Sequence, residues 1–460
     1  MTTSFRQQSS FFPMLLIGIL FFVFGFVTWL NGALIPFLKI VCELNEFQAL
    51  LVAFAFYIAY VVMALPMSTL LTRFGYRHGM TIGLGIMVVG SLLFIPAAQS
   101  AHYAFFLLAL FVLGTGLTIL QTAANPYIVC IGPRESAAMR ISIMGIVNKG
   151  AGFIVPLVFA AWILTGMDQY SEEALALLSP DQQAAQLQAL SNRLVVPYLY
   201  MTAALLGLMV FVHFSRLPEP DLSEPDVSVS ETAADAVTSL VAETEHATDA
   251  ADKNDSDWRA IWRHPQLVLG FIALFFYVGV EVIAGDSIGL YGQGLGVAHF
   301  GILTSYTMAF MVAGYLLGVL LIPRYVSQST ALVGSALAGI LFSFGILLSS
   351  SESSALSAWS LGLLGIPLVP DTVLFVALLG FANALVWPAV WPLALQGLGR
   401  LTATGSALLI MGIAGGALLP LLYGYLAHHS GNSQSAYWML IPCYAFILFY
   451  AIKGHKIRTW

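Results

Sequence analysis

Charge is scarce in this chain. Only 9% of its residues are Asp, Glu, Lys or Arg, against roughly 25% in a soluble globular domain. That shortage excludes a water-exposed surface of ordinary composition. Cysteine is scarcer: Cys42, Cys130 and Cys443 lie in or near apolar segments without metal-ligand spacing. They read as reduced packing residues, not as a zinc site or a disulfide framework. A Walker loop, a GxSxG and an HExxH are all lacking, which argues against an enzyme. MTTSFRQQSS runs straight into a long apolar segment with no small-residue cleavage site, so no removable signal peptide is expected. The net charge of −6 comes largely from one acidic loop and implies no nucleic-acid partner.

What the chain has in abundance is long apolar runs; 59% of it is hydrophobic. Segments of about 20 apolar residues, each able to cross a bilayer as a helix, recur twelve times. They fall at about 14–38, 47–71, 80–98, 103–130, 138–165, 195–215, 265–290, 298–322, 330–350, 372–396, 402–426 and 436–453. Positive charge checks this count. With the N-terminus inside, fourteen of the seventeen Lys and Arg residues fall on the cytoplasmic side, Lys39 and Arg193 fall outside, and Lys149 lies within a span. So strong a positive-inside bias would be scrambled by one span more or fewer. The expected protein is an all-α, multi-pass protein of a bacterial inner membrane, both termini cytoplasmic, lipid around it, and monomeric.

The stretch 217–262 is acidic, rich in Ser, Ala and Thr, and without an apolar face over most of its length, as expected of a solvated linker. It separates a six-helix bundle at 1–216 from a second at 263–460. The halves carry traces of duplication. Ile143-Met144-Gly145-Ile146 in span 5 recurs as Ile410-Met411-Gly412-Ile413 in span 11, and Phe21-Phe22 with Gly25 in span 1 matches Phe275-Phe276 with Gly279 in span 7. Repeats of this kind place a substrate site between the halves near mid-membrane. The segment 168–192 has helical periodicity and is expected to lie on the outer surface.

Three charges break the apolar rule. Lys149 lies about nine residues beyond Arg140, roughly 12–16 Å into the core at 1.5 Å per residue. Glu281 is about sixteen residues into span 7, and Asp286 is near that span's outer end. Intramembrane ionisable groups usually face a partner or a water-filled path. They are either an ion pair that locks helices or the coupling groups of a transport pathway.

Amides and indoles supply the rest of the candidate site. Gln121 and Asn125 of span 4 share a helix face in Gln121-Thr122-Ala123-Ala124-Asn125-Pro126-Tyr127. Paired amide donors and acceptors suit vicinal sugar hydroxyls, although membrane amides also bond neighbouring helices. Span 10 carries Asn383, Trp387 and Trp391; indole faces can stack on a pyranose while amides take its hydroxyls. Trp391, near the inner end, reads more as an interfacial residue. Asn148, Trp29 and Asn31 complete the set of expected sugar-binding residues.

The loop Leu71-Thr72-Arg73-Phe74-Gly75-Tyr76-Arg77-His78-Gly79 resembles the basic motif of the major facilitator superfamily. The span 4 run, followed by Gly132-Pro133 and Glu135, is similar to the fucose–galactose–glucose symporter family over essentially all twelve spans. Asn148-Lys149-Gly150 and Glu281 with Asp286 look closest to its glucose/galactose and N-acetylglucosamine permeases and to sodium-dependent glucose transporters of the superfamily. The resemblance implies the major facilitator fold, with two pseudo-symmetric six-helix halves, and cation-coupled import of glucose, galactose or N-acetylglucosamine. Two departures bear on coupling. The fucose permease pattern has an Asp where Gly32 follows Asn31, and a Glu where this chain has Gln121. Aligning the two halves sets Gly32 opposite Asp286, as if the carboxylate had moved to the equivalent helix. Burial favours a protonated acid and a neighbouring ammonium opposes it. With a Lys present and both proton-linked acids gone, sodium is favoured over the proton as the coupling ion, its site being near Asp286, with no other metal or cofactor. An uncoupled facilitator and a membrane sugar sensor are the alternatives.

Overall fold

The computed structural model describes residues 11–130, 137–166, 170, 177–215, 259–322, 325–398 and 401–460. The expected linker at 217–262 lies outside them up to residue 258. Among the described residues every long element is a helix, and twelve are long and apolar enough to cross a membrane.

In the first half, span 1 is Phe11–Val41, span 2 Glu46–Phe74, span 3 Tyr76–Ser100, span 4 Tyr103–Cys130, span 5 Ala137–Ile163 and span 6 Val195–Phe214. In the second half, span 7 is Pro265–Gly294, span 8 Leu303–Leu321, span 9 Gln328–Leu348, span 10 Asp371–Leu395, span 11 Thr402–Ser430 and span 12 Leu440–Ile452. Local sequence sets several ends. Asn45 and Gln48 form a reciprocal capping box at the start of span 2. Pro265 opens span 7, where its missing N–H costs nothing. Gly75 takes a positive φ of 76° in the tight turn between spans 2 and 3, a conformation that a β-carbon disfavours.

Pro180–Asn192 is a separate short helix begun by a Ser179–Gln182 capping box. It docks through Gln188 and Ser191 on the last carbonyls of span 3, so this part of the expected surface segment belongs to the first half. Arg193, one of two cations expected outside, donates to the carbonyls of Ile163 and Thr165 at 3.0 and 2.7 Å. It caps the end of span 5, where a cation complements the helix dipole.

The duplication is visible in packing. Span 3 packs on spans 4 and 6, and span 9 packs on spans 10 and 12. Gly25 of span 1 rests against the backbone of Asn148 in span 5; in the second half Gly279 rests on Leu419, and Gly415 on the backbone of Phe275. Across the interface, span 2 packs on span 11 and span 5 on span 8, as a pseudo-two-fold relation requires. Large apolar side chains stay exposed on the periphery, such as Leu206 and Phe211 in span 6 and Leu337 and Leu341 in span 9. Lipid in place of water makes that exposure favourable. Cys42, just past span 1, is half-buried, and burial pushes its thiol up to about 12; it is an inert packing residue, as is the buried Cys443. The Cys130 side chain lies outside those described.

Three spans are interrupted. Span 7 passes through a π-helical segment, Ile283–Ser287; span 10 breaks between Asn383 and Val386; span 11 tightens to 3-10 geometry at Gly412–Ala414. The bundle is closed at one end. Trp29–Leu38 in span 1 and Tyr277–Gly292 in span 7 are buried all round, whereas Phe21, Phe22, Phe275 and Phe276 are half-buried. The closed end, where spans 1 and 7 finish, is called the far end below. The near end carries the C-terminal Trp460, whose indole N–H donates to the carbonyl of Trp262 at 2.7 Å.

Candidate functional site

Midway along the interface, spans 1, 5 and 7 bring Trp29, Lys149 and Glu281 together. Gly152 and Gly285 flank the Trp29 indole, and a β-carbon on either glycine would collide with its ring. The slot fixes the ring, and Lys149 Nζ lies 4.5 Å from its centroid, within cation–π range. The same Nζ donates to Glu281 Oε1 at 2.7 Å. This is the one ion pair among the described residues, and it ties the two halves together. Only 12% of the Lys149 side chain and 10% of the Glu281 side chain is exposed. Glu281 also lies within electrostatic reach of Tyr57, Tyr277, Tyr315 and Tyr444, phenols from four spans.

Asp286 is placed differently. It is 0% exposed, and neither carboxylate oxygen has a hydrogen-bond partner among the described residues. It sits in the π-segment, whose backbone is stitched by hydroxyls instead. Thr304 donates to Gly285 O at 2.8 Å, Thr307 to Ala284 O at 3.1 Å and Ser287 to Ile283 O at 2.6 Å. An unpaired charge in such a place is costly unless a proton or cation neutralises it. π-Bulges are frequent at functional sites.

The expected sugar residues divide into two groups. Gln121 is half-buried, and its Oε1 accepts from Tyr60 at 2.9 Å. Asn148 is half-buried, with Nδ2 3.5 Å from Phe21 O. Trp387 is half-buried and tilts against Tyr277 and Trp391 at centroid distances of 6.2 and 5.3 Å. These three remain partly accessible. Trp29, Asn31 and Asn383 are buried. The face of Trp29 is taken by the ammonium in this conformer, so it is not a free stacking wall as expected. Asn383 accepts from Tyr444 at 2.8 Å, which is helix packing between spans 10 and 12. Yet Trp29 Nε1, Asn31 Nδ2 and Asn383 Nδ2 are buried donors without partners among the described residues. The Asn125 side chain falls outside those described.

Sequence reading missed Tyr60 as the partner of Gln121 and Tyr444 as the partner of Asn383. It also missed the threonines that support the π-segment. Tyr57 and Tyr60, three apart on one face of span 2, were the available signal for the first.

Comparison with known proteins gives a consistent picture. The Major Facilitator Superfamily profile matches residues 17–415. A glucose/galactose transporter of Brucella abortus is 32% identical over 459 residues, 99% of this chain and 97% of that protein. The L-fucose-proton symporter of Escherichia coli K12 is 26% identical over 455 residues, 97% of this chain and 94% of that one. A crystal structure of the E. coli fucose:proton symporter superposes with a TM-score of 0.69 at 22% identity, covering 96% of this chain and 98% of the other.

Proposed function

The chain belongs to the Major Facilitator Superfamily and, within it, to the fucose–galactose–glucose symporter family, whose members are transporters and not enzymes; from that premise we propose that it is a secondary active sugar transporter. It imports a hexose (glucose, galactose or N-acetylglucosamine) by cation-coupled alternating access. It sits as a monomer in a bacterial inner membrane, with the near end cytoplasmic by the positive-inside pattern. Relatives named as glucose/galactose transporters support the sugar class.

The observation that carries coupling is the isolation of Asp286. Lys149 engages Glu281 and leaves Asp286 buried and unpartnered at the interface of the halves. Moving a solute against its gradient requires a group that takes up and releases a cation within the cycle, and Asp286 is that group. Sodium is the proposed ion, on the loss of the two proton-linked acids. The proton is the second reading, favoured by the complete burial of Asp286 without a hydrogen-bond partner among the described residues and by relatives named as proton symporters. Uptake of labelled hexose into proteoliposomes, with sodium and pH gradients imposed separately, tests this. Accumulation above the outside concentration is expected under a sodium gradient. Accumulation under a pH gradient alone selects the proton. Equilibration without accumulation overturns coupling, and binding without uptake leaves a sensor.

The sugar takes its hydroxyl contacts from Gln121, Asn148 and, after the ion pair opens, Lys149 and Glu281. Gln121→Ala is expected to weaken equilibrium binding by about 1–3 kcal/mol, the range for an unpaired polar group. Tyr60→Phe should have a smaller effect, because it frees the amide instead of removing it. Affinity unchanged in Gln121→Ala would return this residue to helix packing.

A further inference from the structure

The far end is sealed where the halves meet glycine to glycine. A β-carbon on Gly32 of span 1 would collide with Thr304 Oγ1 and lie 2.7 Å from Gly285 O, both in the other half. One on Gly289 of span 7 would lie 2.8 Å from Gly32 O and 3.3 Å from Pro36 Cγ. Real β-carbons do not approach backbone so closely, so these two positions admit only glycine while the halves touch. Other tight glycines differ in kind. A β-carbon on Gly114 would collide with Phe56 O, and one on Gly116 would lie 2.6 Å from Gly83 O; each pair lies within one half and persists however the halves rock.

Two more contacts cross the interface at the same end. Ser433 donates to Glu46 Oε1 at 2.5 Å, and Ser305 donates to Phe153 O at 2.7 Å. Asp286 lies between Gly285 and Gly289 in the chain and is completely buried with this end closed.

We propose that the Gly32–Gly285–Gly289 backbone contact is the far-side gate of the transport path, formed only when that side is closed, and that it controls access to Asp286. Side-chain volume at Gly32 or Gly289 then selects between conformers instead of weakening either half. The proposal rests on the transport reading for its purpose, but its test does not require transport.

The reporter is Ser305→Cys, in a background where Cys42, Cys130 and Cys443 are replaced by alanine. Its maleimide labelling is followed in detergent-solubilised protein. Gly32→Ala and Gly289→Ala are each expected to raise the labelling rate at least tenfold, with melting temperatures close to the parent. Thr304→Ala added to Gly32→Ala should reverse part of the increase by removing one of the colliding groups. Gly114→Ala, the control within one half, should lower the melting temperature without that increase. Unchanged labelling in both gate variants overturns the proposal, and so does failure of both to fold. Hexose uptake in the same variants should fall at least tenfold. If the parent protein shows no uptake, the transport reading fails while the labelling result still decides the gate.

Discussion

Glu281→Gln should abolish hexose uptake and destabilise the protein. The substitution leaves the Lys149 ammonium buried beside an amide and the Trp29 ring, with no counter-charge among the described residues. Breaking a buried ion pair from one side typically costs about 3–5 kcal/mol, because the remaining charge is uncompensated. Lys149→Met should have an effect of the same order on Glu281. Removing both charges, in Lys149→Met with Glu281→Gln, should recover most of the stability, since such a pair returns little net energy once its desolvation is counted. Uptake should not recover. Melting temperature and proteoliposome uptake, measured on the two single variants and the double, make a cycle that separates the roles. Full uptake in the double variant would reduce the pair to a lock between helices.

Asp286→Asn should abolish accumulation while sparing exchange. The amide keeps the shape of the side chain but cannot hold a cation or change charge, so the sugar should equilibrate without exceeding its outside concentration. Counterflow of labelled against unlabelled sugar should persist within several-fold of the parent, since the sugar contacts lie elsewhere. The variant should also favour the conformer closed at the far end, where a bare carboxylate would be buried without a partner. Ion-driven accumulation at the parent level in Asp286→Asn would remove this residue from coupling.

These two results separate acids that lie only five residues apart. In a regular helix that spacing says little about which of them meets a lysine from another span. The π-segment from Ile283 to Ser287 shifts the helical phase between them. Thr304 and Thr307 of span 8 take up its carbonyls. Glu281 thus faces Lys149 while Asp286 turns into the seal.

The twelve spans could be read from the order of residues, as could the expected side of their positive charge. These are one-dimensional properties. Hydrophobic length decides whether a segment crosses, and loop charge decides its orientation. The repeat of Gly25 in Gly279 was legible for the same reason, because each packs within its own half on the equivalent span. The unusual cost of Lys149, Glu281 and Asp286 was legible too, since burial follows from position along a span. Their pairing was not. Lys149 and Glu281 stand 132 residues apart, and only the meeting of spans 1, 5 and 7 sets the ammonium between a carboxylate and the Trp29 ring. That meeting also turned Trp29 from an open sugar wall into a support for the lysine, and left Asp286 alone. Local sequence determines which segments enter the membrane and what their burial costs; the tertiary packing of the spans decides which charges neutralise one another, because Coulomb energy depends on distance in space and not along the chain.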